Sequence, residues 1–141
     1  MEIALDLLSR RAYVEKKMIQ RLSESGCNME EINETLSRLR QWGYLNDREY
    51  GKNRIVTLQS RLKSRAFVEN DLRIGGLESG LIKELMNSYY PELLEIQIAR
   101  QILLRNPHKQ QRNKAWGPAF LIRSGFSENT VQQCFPEVSS T

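Results

Sequence analysis

The sequence predicts an all-α protein of three tandem three-helix repeats, stacked into an elongated, curved bundle. Three observations lead there. Apolar residues recur at helical spacing almost throughout, as in Met29, Ile32, Leu36 and Leu39, which fall three, four and three apart. No stretch alternates with period two for long enough to form a strand. A glycine turn recurs at Gly26, Gly76 and Gly125, at steps of 50 and 49 residues, and a period of that size marks a repeat architecture.

Each copy of the turn carries the same companions. A leucine stands four residues before the glycine (Leu22, Leu72, Leu121) and an apolar residue one after it (Cys27, Leu77, Phe126). A β-branched residue follows six after it (Ile32, Ile82, Val131). The glycine can take the left-handed conformation that ends a helix. The residue after it then sits just outside the next helix and packs on the fourth residue within, a hydrophobic staple that fixes the angle between the two. Asn28 and Ser127 stand where a side-chain oxygen can cap the new helix, and Glu31 completes a capping box with Asn28. In the second copy Glu78 holds the cap position, with Ser79 one residue later.

The leading helices are predicted over Glu2–Arg10, Asn46–Lys63 and Pro91–Arg105. Val14, Met18 and Leu22 mark the second helix of the first repeat, and Leu93, Ile96, Ala99 and Leu103 mark the leading helix of the third. Gly43 ends the first repeat, and Asn46-Asp47 caps the helix after it. The repeats are therefore placed at residues 1–44, 45–90 and 91–141. Pro118 has no N–H donor and its ring collides with a preceding carbonyl. A helix there either begins at Gly117-Pro118, with proline at its tolerated first position, or is kinked. Three helices make a small core, so neighbouring repeats are expected to share buried surface.

Composition sets the class. Of 141 residues, 40% are hydrophobic and 27% charged, a globular balance rather than a disordered one. No apolar run approaches the roughly 20 residues that span a bilayer, and Met1 to Arg11 is too short and too charged for a secretory signal. A cytoplasmic location without membrane association is expected. Cys27 and Cys134 lack a CxxC partner and are read as buried thiols. His108, the one histidine, follows Pro107 in an expected surface loop without a general-base partner. Gly75-Gly76 lacks the Lys-Ser/Thr tail of a phosphate loop. The sequence thus predicts no enzyme, no cofactor and no metal site.

Charge is unevenly placed along a chain of net charge +4. Residues 48–65 hold six bases and one acid, 66–95 six acids and two bases, and 96–127 six bases and no acid. Two basic blocks suggest local anion-binding surfaces. Within the first, Arg54, Arg61 and Arg65 are spaced seven and four apart, which on one continuous helix gives a shared face. Ile55, Leu58 and Leu62 would line the adjacent one. Lys63 belongs to the same block, and Lys109, Arg112 and Lys114 offer a second contact. Tyr44, Tyr50 and Trp116 lie near bases and could stack, although core packing is the expectation for all three.

The segment LRQWGYLNDREY, Leu39 to Tyr50, resembles the centre of RecX proteins. The opening ALDLLSRRAYVEKKMIQRL resembles their first module, and FLIRSGFS, Phe120 to Ser127, their last. The resemblance runs in order over nearly the whole chain. It implies a non-catalytic monomer that lies on the RecA filament formed on single-stranded DNA, lowers ATP hydrolysis and strand exchange, and so acts in recombination, repair and the SOS response. It allows a weak direct contact with DNA. Arg54, Arg61, Lys63, Arg65, Lys109, Arg112 and Lys114 fall where the family is basic. Two other classes share the helical fold: a helix-turn-helix DNA-binding protein and a general helical adaptor. Against the former, Glu30, Glu31 and Glu34 occupy the first turns of the candidate recognition helix, where base edges and phosphates would be met.

Overall fold

The computed structural model describes residues 1–136, and these form ten helices without a strand. In chain order they are α1 (Glu2–Arg10), α2 (Glu15–Glu24), α3 (Met29–Gln41), α4 (Asp47–Ser60), α5 (Arg65–Ile74), α6 (Ser79–Tyr89), α7 (Glu92–Leu104), α8 (Pro107–Arg112), α9 (Trp116–Arg123) and α10 (Glu128–Cys134). The predicted leading helices appear as α1, α4 and α7, with ends shifted by a few residues.

The glycine turn is built identically three times. Gly26, Gly76 and Gly125 have φ of +92°, +102° and +88°. The N–H of the next residue donates back to the leucine carbonyl five positions earlier: Cys27 to Leu22 (3.1 Å), Leu77 to Leu72 (3.1 Å) and Phe126 to Leu121 (3.0 Å). Each glycine N–H donates three residues back, to Ser23, Arg73 and Ile122. This pair of bonds is the Schellman motif, which satisfies carbonyls that a helix end leaves without partners. Asn28 and Glu31 form the reciprocal capping box, and the Ser127 side chain accepts from the Thr130 N–H. Glu78 occupies the N-cap of α6 without a side-chain cap bond.

Buried apolar residues fall into two clusters. One holds Ala4, Tyr13, Met18, Leu22, Ile32, Leu36, Leu39 and Leu45, from the inner faces of α1 to α3 and the links before α2 and α4. The larger runs through α4 to α7, α9 and α10, with Ile55, Leu72, Leu85, Tyr90, Ala99 and Leu121 at or near zero exposure. Val14, the N-cap of α2, is the residue of the first repeat that enters it.

Five local expectations differ from what forms. The α4 helix stops at Ser60 rather than running to Lys63, because Leu62 takes a left-handed conformation (φ +59°). Its N–H and that of Lys63 return to Gln59 and Leu58 in the same Schellman pattern. A γ-branched residue replaces glycine there, so the sequence carries no stop signal. Pro107 and His108 begin a short helix, α8, rather than a loop, with proline at the first position where its missing N–H costs nothing. The third repeat thus has four helices. Pro118 stands third in α9, which begins at Trp116, so proline again falls among the first-turn residues whose N–H groups have no helical acceptor. Tyr44 is exposed rather than core-packed, edge-on to Trp42 with ring centroids 6.3 Å apart. Tyr50 is partly buried against the larger cluster, and Cys27 and Cys134 are half-buried rather than buried, each packed at the edge of a cluster. Burial pushes the Cys134 thiol up from its ordinary range.

Candidate basic interface

Local rules end where the repeats meet. The N–H groups that begin α2 and α5 have no helical acceptor. In both cases a carboxylate on the leading helix of the next repeat accepts the hydrogen bond. Asp47 Oδ1 accepts from the Glu15 N–H at 2.9 Å, and Glu95 Oε2 accepts from the Arg65 N–H at 2.8 Å. Burial raises the Asp47 carboxyl above the usual range, with Arg40 opposing the shift. Glu95 is 1% exposed and also accepts from the Ser127 N–H (3.2 Å) and the Thr130 hydroxyl (2.6 Å). A charge this deep is tolerated because each oxygen is hydrogen-bonded. Tyr90 lies beside it, fully buried, its hydroxyl donating to the Lys63 carbonyl at 2.7 Å. Burial and then the Glu95 charge hold that phenol protonated far above its ordinary pKa, against the opposing Arg65.

This junction reassigns the first set of predicted cations. With α4 ending at Ser60, Arg54, Arg61 and Arg65 do not share one helix face. Arg54 is tied by two parallel bonds to Asp71 on α5, Nε to Oδ1 at 2.8 Å and Nη2 to Oδ2 at 2.9 Å. That hydrogen-bonded carboxylate raises the Arg54 pKa further. Arg65 donates through Nε to the Tyr90 carbonyl at 2.6 Å. Both arginines are therefore engaged in holding helices together.

Arg61 and Lys63 are placed otherwise. They lie on the turn between α4 and α5, at the mouth of a cleft of about 470 Å³ whose far side is made by α7 and α9. Arg105, the C-cap of α7, and Arg123, the last residue of α9, line the same cleft with Phe67 and Phe120. Among the described residues no carboxylate lines it. None of the four cations belongs to an ion pair among the described residues. Three helices, α4, α7 and α9, end here, and basic side chains at C-termini offset the negative end of each helix dipole. Their charge is nonetheless fixed on solvent-facing groups where an anion can reach it. The Lys63 ammonium sits 4.8 Å over the Phe67 ring.

Arg105 and Arg123 were not singled out from the sequence. The signal available was their place inside the acid-free block, each at the end of a helix. The second predicted set lies close by. Lys109 on α8 stands 5.3 Å over the Trp116 ring, and Trp116 stacks on Phe120 at 5.0 Å, at the cleft wall. Arg112 ends α8 and Lys114 lies in the link to α9, both exposed.

Residues 1–39 match the family model described as the first three-helix domain of RecX. The chain is 29% identical over 133 residues to the regulatory protein RecX of Caldanaerobacter subterraneus subsp. tengcongensis, covering 92% of this chain and 66% of that one. It is 26% identical over 144 residues to the RecX of Syntrophotalea carbinolica, covering 95% and 92%. In fold it is similar to the crystal structure of RecX from Lactobacillus salivarius, with a TM-score of 0.78 at 20% identity over 96% of this chain and 91% of that one. It thus spans about two thirds of the length of the first relative and nearly all of the second.

Proposed function

The chain belongs to the RecX family, and from that premise we propose that it is a non-enzymatic regulator that binds the RecA filament on single-stranded DNA and restrains its ATP hydrolysis and strand exchange. The observation that supports a filament contact is the cleft of Arg61, Lys63, Arg105 and Arg123, four cations with no lining carboxylate among the described residues. A nucleoprotein filament presents both phosphates and carboxylates, so such a cleft steers and holds it, more weakly as salt rises. Lys109, Arg112 and Lys114 extend the positive surface along α8. The helix-turn-helix reading is less well supported, since Glu30 and Glu31 are exposed at the start of α3 and would face phosphates.

The test is ATP hydrolysis by RecA on single-stranded DNA with the purified protein added. The unaltered protein is expected to inhibit. The variant R61E/K63E/R105E/R123E should need a concentration higher by on the order of tenfold or more for half inhibition, with its helical content retained because exposed charges contribute little to folding. R54E is unsuitable for this purpose, because it would set a new carboxylate against Asp71. Absence of inhibition by the unaltered protein would overturn the reading, and full inhibition by the folded variant would remove the cleft from it.

A further inference from the structure

The two joints between repeats are built from corresponding residues and differ in what those residues hold. At the second joint Ser64, the N-cap of α5, is buried against the turn of the third repeat, and its hydroxyl donates to the Ser124 carbonyl at 2.9 Å. A Cβ on Gly125 would meet that hydroxyl oxygen at 3.0 Å. Fifty residues before Ser64 stands Val14, the N-cap of α2, and a Cβ on Gly76 would meet its Cγ2 at the same 3.0 Å. The two side chains thus occupy one place in the repeat. Valine has no donor, so the first joint keeps the contact and lacks the bond.

The carboxylates differ in the same sense. Glu95 reaches across the second joint to the Arg65 N–H and is also tied to Ser127 and Thr130 in its own repeat. Asp47, one methylene shorter and only partly buried, accepts from the Glu15 N–H alone among the described residues. The buried apolar cluster is continuous across the second joint, whereas Val14 alone carries it across the first. Leu45 closes the first repeat's own cluster and Asn46 beside it caps α4, so the covalent connection is a single peptide link between two packed units. Next to that link the units stand apart. A cleft of about 610 Å³ separates Arg11, Tyr13 and Lys17 from Tyr50, Arg54 and Gly75.

We propose that the first joint is a hinge: the first repeat swings as a rigid body about Leu45–Asn46, with Val14 as its sliding contact and Asp47 as its latch, while the second and third repeats move as one piece. Units of one chain shift relative to each other unless a large apolar surface joins them, and hinge motion is absorbed by a few residues between packed elements. An apolar contact such as Val14 on Gly76 is non-directional. The bonds made by Ser64 and Glu95 have preferred angles and hold one orientation. Swinging opens or closes the first cleft and changes the angle between the first repeat and the other two. The hinge is a property of the chain alone and does not depend on the RecA reading.

The experiment is pulsed electron–electron resonance on the full chain carrying C27A and C134A, with pairs of spin labels at exposed positions. E30C/N87C spans the first joint, N87C/Q132C spans the second, and D6C/E30C lies within the first repeat. A broad or two-peaked distance distribution is expected across the first joint, and a narrow one for each of the other pairs. A distribution across the first joint no wider than that across the second overturns the proposal. So does an equally broad distribution within the first repeat, since that repeat would then be unfolding rather than swinging. Ser64→Val gives the second joint the side chain of the first. In a chain of unchanged helical content it is expected to broaden the N87C/Q132C distribution, and no broadening would overturn the assignment of the Ser64 bond as what stiffens that joint.

Discussion

Glu95 shows how much one side chain can be asked to do. Its two oxygens serve the starts of α5 and α10 and the Thr130 hydroxyl from a position 1% exposed. Glu95→Gln keeps the shape but turns one acceptor into a donor facing other donors. A buried polar group left without its partner costs about 1–3 kcal/mol, and that loss is expected in urea unfolding of the variant. A loss below a few tenths of a kcal/mol would mean that water reaches these groups. None of this was legible in the sequence, where Glu95 reads as one more acid in the first turns of a helix. The partners of Arg54 and Arg65 were hidden for the same reason: Asp71, the Tyr90 carbonyl and Glu95 are brought near them only by packing.

Among the elements, α4 and α6 approach through Gly51. A Cβ there would collide with the Leu85 side chain and stand 2.8 Å from Leu77 Cδ2. Glycine ordinarily weakens a helix interior by about 1 kcal/mol relative to alanine, so Gly51→Ala would stabilise an isolated α4. In the protein the order reverses. Crowding a packed core costs about 1–3 kcal/mol, and a lower thermal midpoint is expected; a raised one would mean that the leucines move aside freely. Gly117 has the same use in α9, where a Cβ would come within 2.6 Å of the Phe135 ring. Helix starts and glycine stops were readable, because caps and Schellman turns are written in neighbouring residues. The stop at Leu62 was not, since leucine carries no turn signal. Nor was α8, six residues without an apolar stripe that could announce it.

For the whole molecule, the repeat glycines gave the architecture, while the surfaces where repeats meet came from tertiary placement. The convergence of Arg61, Lys63, Arg105 and Arg123 depends on three helix ends arriving at one place. The first repeat keeps its own buried cluster and joins the larger one mainly through Val14 and the Asp47 bond to Glu15. Cooperative units of this kind open separately. We expect amides of α2 and α3 to exchange with solvent at lower urea than those of α6 and α7 in native-state hydrogen exchange. A single common dependence would show that the Val14 contact couples the two clusters fully.

The carboxylates that cross from one repeat to the next carry a consequence for the chain as it is made. The start of α2 gains Asp47 only after thirty-two further residues have been added, and the start of α5 gains Glu95 after thirty more. On a ribosome, each repeat would wait with one helix end still bare for the front of its successor to emerge. Closure would run one repeat behind elongation, and the growing chain would order itself from its first residues onward.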